Sequence, residues 1–323
     1  MKSIAVFTSG GDSPGMNACI RAVVRTCLHH GLTVYGIMHG YQGMIENQIK
    51  QLDSDDVGNI LQRGGTILKS SRSKEFFTKA GRQKAFDNLK QHGIEGVVAI
   101  GGDGTFAGAK VFTEEFNIPF IGLPGTIDND LMGTDYTIGY DTALNNVLEA
   151  VDKIKDTAAS HDRLFFVEVM GKDAGLIALR SGIGVGAAAI LIPEVHTDLE
   201  QLIEKLAAAY TRKKSSSIIM VAEGDDAGGA YKIAEQVVKA LPHYDTRVSI
   251  LGHQQRGGNP SALDRMLASQ LGNEAVTALL QGKQSVMVGI VNNEVCYTPF
   301  EQAIKHHDKV NKDFLKLADI LAA

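Results

Sequence analysis

Short apolar runs alternate with longer amphipathic stretches from one end of the chain to the other. Residues 4–7, 34–37, 97–100, 120–123, 164–169, 218–222 and 286–291 are compact apolar runs and predict buried strands. Between them, Leu144, Val147, Leu148, Val151 and Ile154 recur at helical spacing after Asp141, which the pattern makes an N-cap. Leu199, Leu202, Ile203 and Leu206 repeat the period, as do Leu263, Met266, Leu267 and Leu271. Strands alternating with helices predict an α/β fold with parallel sheets covered on both faces. Ligands of such sheets bind beyond the carboxyl ends of the strands, and the polar motifs of this chain fall just there. No linker, low-complexity tract or charge block marks a boundary. Any domains are therefore expected to share a close interface, with the chain free to pass between them more than once.

Composition narrows this picture without redirecting it. A chain of 323 residues suits roughly two domains. Hydrophobic residues make up 44% and charged residues 21%, as in ordinary globular proteins with a substantial core. A net charge of −5 gives no reason to expect nucleic acid or an anionic membrane as partner. Cys19, Cys27 and Cys296 lack metal-ligand spacing, and so sparse and odd a set fits a reducing compartment. The opening apolar run is cut short by Gly10-Gly11-Asp12, unlike a signal peptide, and no run of ~18 apolar residues exists to span a membrane. A cytoplasmic location is expected.

The candidate chemistry sits in the turns after the strands. Gly10-Gly11-Asp12-Ser13-Pro14-Gly15-Met16-Asn17 joins the first strand to the first helix, with glycines for close backbone approach and Pro14 expected in the first helical turn. A tight structural turn accounts for the same residues equally well, and the motif is neither a Walker A sequence nor GxGxxG. Ala99-Ile100-Gly101-Gly102-Asp103 echoes Thr8-Ser9-Gly10-Gly11-Asp12, two turns that answer one backbone need rather than a repeat. Gly101-Gly102-Asp103-Gly104-Thr105 is the more informative of the two. Its Asp103 is suited to hold Mg²⁺ against phosphate oxygens, and Gly104 and Gly108 leave room for a bulky ligand. In Pro124-Gly125-Thr126-Ile127-Asp128-Asn129-Asp130, an extended segment would aim Asp128 and Asp130 the same way. Their repulsion would raise the proton affinity of one, as a general base requires, although a surface turn could carry the same three polar residues. Arg72, Arg163, Lys172, Arg247, His253 and Arg256 are candidate phosphate ligands, although for any one taken alone a solvated surface charge is the better reading. His253-Gln254-Gln255-Arg256-Gly257-Gly258 stands out by joining two cationic donors to a glycine turn; His161 lacks a nameable partner and reads as structural. Together these motifs point to phosphoryl transfer from a nucleotide to an alcohol.

With these motifs, and with Arg63-Gly64-Gly65-Thr66, Val169-Met170-Gly171, Ala222-Glu223-Gly224 and Val288-Gly289-Ile290 in the same order and spacing, the whole chain resembles the bacterial ATP-dependent 6-phosphofructokinases. The resemblance implies two three-layer α/β/α domains with largely parallel sheets, residues 1–138 with 256–305 binding ATP and 139–255 with 306–323 binding the sugar phosphate. It implies transfer of the γ-phosphoryl group of MgATP to the 1-hydroxyl of fructose 6-phosphate. Gly11, Arg72, Ser73, Gly102, Asp103, Gly104 and Thr105 would line the ATP site, with Asp103 at Mg²⁺. Asp128 would be the base, supported by Asp130, with Arg72 steadying the transferring group. Thr126, Met170, Gly171, Lys172, Glu223, His253 and Arg256 would hold the sugar phosphate, and Arg163 and Arg247 would reach it from a neighbouring subunit of a homotetramer. Arg21, Arg25, Lys155, Arg212 and Lys214 match the basic lining of an effector site for ADP or phosphoenolpyruvate.

Three departures from that family pattern stand out. Lys172 replaces an Arg, keeping the charge but losing the bidentate fork, which predicts weaker sugar-phosphate binding. The stretch 72–77, including Ser73 and Lys74, differs on the adenine side. In the effector site Ala188 stands for a metal-binding Glu, Ser54 for an Arg, and Ser215 and Ser216 dilute a basic run, so blunted ADP activation is expected. Pyrophosphate-using relatives carry Asp and Lys where this chain has Gly104 and Gly125, which favours ATP. The competing readings are a tagatose 6-phosphate or pyrophosphate enzyme, a catalytically silent sensor, and a lipid or NAD kinase with a similar GGDGT turn. The trio of Asp103, Asp128 and Asp130 speaks against the sensor, and the residues around Arg163, Arg247 and His253 speak against the last.

Overall fold

The computed structural model describes residues 1–212, 217–304 and 310–322. The chain begins β1 (Ser3–Thr8), α1 (Met16–His29), β2 (Thr33–Ile37), α2 (Gly40–Ile45), β3 (Ile49–Leu52), α3 (Lys79–Gln91), β4 (Gly96–Gly101), α4 (Asp103–Phe116) and β5 (Phe120–Pro124). It continues through α5 (Tyr140–Ser160), β6 (Arg163–Val169), α6 (Leu176–Gly184), β7 (Ala189–Leu191), α7 (Leu199–Thr211), β8 (Ser217–Ala222), α8 (Gly229–Ala240) and β9 (Asp245–Ile250). It closes with α9 (Ala262–Leu280), β10 (Val286–Val291), β11 (Glu294–Pro299), α10 (Phe300–Ala303) and α11 (Lys312–Leu321).

Two compact units result. The first comprises Met1–Ile127, Leu131–Thr142 and the described part of Arg256–His306. Its seven strands run in the order β11-β10-β5-β4-β1-β2-β3. The inner pairs are parallel, while β3 and β11 add antiparallel edges. Neither edge strand is legible as a buried apolar run, because each is partly exposed. Alternation along β1 divides the core: Ile4 and Val6 pack with α1 and α9, whereas Ala5 and Phe7 pack with α3 and α4. Every residue of β1, β4 and β5 is buried, which is why these strands read as continuous apolar runs.

The second unit comprises Asp128–Asp130, Ala143–Gln255 and the described residues after His307. Its four parallel strands run β7-β8-β6-β9, and α7 and α8 cover the face that carries Leu164 and Phe166. Helix α5 starts at Tyr140, so Asp141 lies inside its first turn and is not its N-cap. In α9 the buried stripe runs through Leu267, Ala268 and Leu271, while Leu263 and Met266 are exposed, against the sequence pattern. Among the described residues no helix is long and apolar enough to cross a membrane.

Candidate active site

Three predicted motifs leave the carboxyl ends of three neighbouring strands. Thr8 of β1 pairs with Ile100 of β4, and Gly101 of β4 pairs with Pro124 of β5, so the strands end nearly level. Strand order reverses between β1 and β4, since β1 leads to β2 on one side and β4 lies on the other. Such a switch point opens a crevice above the sheet, where ligands of doubly wound folds bind.

The two glycine turns that flank it are built differently, despite their echo in sequence. Residues 9–15 separate β1 from α1, and Gly15 caps α1 with φ +109°, which favours glycine. Pro14 therefore precedes the helix. Arg256 lies against Gly11, where any Cβ would collide with its guanidinium, and its Nη1 donates to Asp12 O at 3.1 Å. After β4 only Gly102 intervenes before α4, and Asp103 occupies the first helical turn, a favourable place for an anion or for a carboxylate. Asp103 is half-buried and its Oδ1 accepts from Gly104 N at 2.7 Å. A Cβ at Gly104 would meet no atom within 4 Å, so the space beside it is open. Gly108 is different: the ring of Tyr41 sits 3.0 Å from where its Cβ would be, so this glycine accommodates a protein side chain and not a ligand.

Tyr41 was not a sequence candidate. Its hydroxyl donates to Thr105 O at 2.6 Å, and its ring stacks on Phe76 with centroids 3.9 Å apart. Such a stack contributes about 0.5–1.5 kcal/mol beyond burial. It anchors the unusual 72–77 stretch to α4. Ser73 serves that local structure: its hydroxyl donates to Gln42 Oε1 at 2.7 Å and accepts from Phe76 N at 3.2 Å. Arg72 is exposed.

After β5 the chain does not stay extended. Asn129 adopts φ +55°, so the alternation expected to align Asp128 with Asp130 does not apply. Thr126, Asp128, Asn129 and Asp130 are nonetheless all buried, between 7% and 9% exposed, unlike a solvated surface turn. Among the described residues no group of three or more His, Cys, Asp or Glu could hold a metal ion. A single carboxylate such as Asp103 fits a hard cation that keeps its waters and takes phosphate oxygens, as Mg²⁺ does.

In the second unit, the loops after β6, β8 and β9 are tied together. Glu223 Oε1 accepts from Gly171 N at 3.2 Å and Lys172 N at 2.8 Å. The buried Gln255 accepts from Met170 N at 3.2 Å and donates to Gly252 O at 3.0 Å. Lys172 itself sits at φ +56°, and His253 is exposed in the short turn Gly252–Arg256. Arg163 lies at the opposite end of the same sheet, and Arg247 two residues further in, opposite Phe165. Arg163 Nε donates to Asp245 Oδ2 at 2.8 Å, and Arg247 Nη1 pairs with Asp245 Oδ1 at 2.5 Å. The hydrogen bond from Arg163, with the charge of Arg247 beside it, holds the Asp245 carboxyl below its ordinary pKa. Strand β6 carries Arg163 at its start and ends beside Met170, about 20 Å away at ~3.3 Å per residue. An arginine side chain cannot bridge that distance.

The phosphofructokinase family model matches residues 3–279. The chain belongs to the phosphofructokinase family. It is 55% identical over 317 residues to an ATP-dependent 6-phosphofructokinase 2 of Bacteroides thetaiotaomicron, covering 98% of this chain and 97% of that one. It is 54% identical over 322 residues to an ATP-dependent 6-phosphofructokinase 1 of Thermus thermophilus, covering all of both. Its fold superposes on a phosphofructokinase from Saccharomyces cerevisiae with a TM-score of 0.90 at 36% identity, covering all of this chain and 48% of the yeast chain. This chain thus spans about half the yeast protein's length. A pyrophosphate-dependent phosphofructokinase from Marinobacter aquaeolei shares the fold, with a TM-score of 0.85 at 24% identity over 92% of that chain.

The residues expected to line an effector site separate into two groups. Arg21 and Arg25 lie on α1 of the first unit, and Arg25 Nη2 donates to the backbone of Ser54 at 3.2 Å. Lys155 and Arg212 belong to the second, where Lys155 Nζ donates to Val185 O at 2.8 Å. Ala188 bonds through its backbone N–H to Ile218 O and offers no acceptor side chain. Lys214, Ser215 and Ser216 lie outside the described residues. Sequence reasoning also passed over Asp264, 1% exposed, although Ser261-Ala262-Leu263-Asp264 has the form of a helix capping box.

Proposed function

We propose that the chain transfers the γ-phosphoryl group of ATP to the 1-hydroxyl of D-fructose 6-phosphate, releasing ADP and fructose 1,6-bisphosphate, a committed step of glycolysis. The observation that carries this reading is identity of 54–55% over essentially the whole length to two ATP-dependent 6-phosphofructokinases. The convergence of the glycine turns and the Asp128 segment on adjacent strand ends supports it.

Asp128 takes the proton of the 1-hydroxyl, and Asp130 supports it. Both carboxylates are buried, which shields the proton transfer from bulk water. Gly11, Gly102, Gly104 and Thr105 bind the nucleotide phosphates with backbone and hydroxyl groups, Arg72 steadies the transferring group, and Thr126 orients the sugar. Asp103 would hold Mg²⁺, which supplies charge neutralisation for the phosphate oxygens. Met170, Gly171, Lys172, Glu223, His253 and Arg256 bind the sugar phosphate. Arg163 and Arg247 complete the site of a neighbouring copy in a homotetramer, a reading supported by the position of Arg163 at the far end of the sheet. The open space at Gly104 favours ATP over pyrophosphate as donor, and Gly125 leaves no room for a longer side chain, since its Cβ would lie 2.9 Å from Ile100 Cγ2. The effector site binds ADP weakly without a carboxylate at position 188. The enzyme works in the cytoplasm.

The test is steady-state ADP release from MgATP and fructose 6-phosphate, with and without added ADP or phosphoenolpyruvate. Rapid turnover little changed by ADP is expected. Absence of turnover under every condition refutes the reaction, and strong ADP activation lost on Arg21→Ala refutes the weakened effector site.

A further inference from the structure

Asp264 is a buried carboxylate on α9 whose bonds serve neither its own helix nor a cation. Ser261 caps α9 by accepting from Asp264 N at 3.2 Å. In a capping box the third helical residue returns the favour to the cap's own N–H. Here the Ser261 N–H is taken by Thr142 Oγ1 at 2.9 Å, and the Asp264 side chain turns to another segment. Its Oδ1 accepts from Gly139 N at 2.7 Å, and its Oδ2 accepts from Thr142 N at 2.8 Å and Thr142 Oγ1 at 2.5 Å. All three partners donate, which matches an anion that accepts only.

The segment so gripped, residues 137–142, braces two of the three turns of the first unit's candidate site, those after β1 and β5. Ile138 N donates to Pro124 O at 2.7 Å, and Thr137 Oγ1 donates to Thr126 O at 2.6 Å, two residues before Asp128. Ile138 also packs against Gly15, whose Cβ would fall 2.7 Å from Ile138 Cγ2 and 3.5 Å from Asp264 O. One carboxylate therefore stands behind the Gly15 turn and the Thr126 backbone together.

We propose that Asp264 is a positioning residue for phosphoryl transfer, fixing Thr126 and the chain leading into Asp128 through the strap 137–142. This rests on the reaction proposed above. Displacing a reacting group by ~1 Å can cost about a hundredfold in rate, so the effect should fall on kcat. In Asp264→Asn the amide keeps one acceptor but turns an N–H₂ toward N–H donors, which loosens the strap without changing side-chain size.

The experiment measures kcat and KM for Asp264→Asn, Thr137→Val and the double variant, together with amide hydrogen exchange across residues 126–130. The expected result is a kcat lowered by about tenfold to a hundredfold in each single variant, with KM for ATP within about twofold of wild type. The double variant should lose no more than the weaker single variant, because both changes cut one chain of contacts. Exchange at residues 126–130 should rise in both. A folded Asp264→Asn with wild-type kcat, or losses that multiply in the double variant, overturns the proposal. Should Asp264→Asn not fold, Thr137→Val decides by the same kcat and exchange criteria. If the wild-type chain itself does not turn over, the phosphofructokinase reaction is refuted, and exchange alone decides the positioning role: faster in the variants supports it, unchanged overturns it.

Discussion

If Arg163 and Arg247 serve a neighbouring copy, two inactive variants should restore each other. Consider Asp128→Asn, which lacks the base, and Arg163→Ala/Arg247→Ala, which lacks the distant cations. In a mixed site-sharing pair, one site combines both defects. The other combines an intact Asp128 with intact arginines and is fully active. With equal random pairing, half the pairs are mixed and half of their sites work, so about a quarter of wild-type activity should return. The reasoning rests on the ~20 Å length of β6, which separates Arg163 from the Met170 and Lys172 loop within one chain. The assay is to co-express the two variants, or unfold and refold them together, and measure initial ADP release against each variant alone. No activity above the sum of the separate variants would refute the sharing. Full recovery is also excluded, because doubly defective sites must form at the same frequency as intact ones.

Asp128→Asn alone should lower kcat by about 10²–10⁴ with KM for both substrates little changed, as expected for loss of a general base; near-wild-type turnover in steady-state assays would remove Asp128 from that role. Gly104→Asp should raise KM for ATP by at least about tenfold, since a carboxylate in the open space beside α4 repels phosphate, and a substrate panel with pyrophosphate checks whether the donor preference shifts. Asp245 has a folded-state pKa below its unfolded value, so its contribution to stability is present above the ordinary aspartate pKa of ~3.9 and is lost as pH falls through the lower folded value. Melting temperatures of wild type and Asp245→Asn should therefore differ at neutral pH and converge in acid; a gap that persists below the folded value contradicts the ion-pair assignment.

How far each feature was legible depended on whether its cause was local. The strands β1, β4, β5, β6, β8 and β10 are visible as apolar runs because both faces of each are largely covered. Edge strands β3 and β11 are not, since partial exposure breaks the run, and β7 is only three residues long. The glycine motifs were legible as turns, yet nothing local distinguishes Gly104, which opens onto space, from Gly108, which meets the Tyr41 ring. Leu263 and Met266 follow the helical period of α9 but remain outside, because periodicity records a face and not what covers it.

The sequence by itself determined the alternation of strands and helices, the position of each polar motif just after a strand, and the family, because these follow from hydrophobic period and from residue types that chemistry constrains. Only the tertiary structure decided which motifs meet. It set β1, β4 and β5 side by side across a reversal of strand order, put Arg163 at the end of its sheet away from Met170, and turned Asp264 from its own helix to residues 137–142. The physical reason is that a carboxylate or a guanidinium carries the same local signature whatever it faces. Its role is settled by the donors, acceptors and charges that folding brings within hydrogen-bonding distance, and those come from segments as far as 244 residues away.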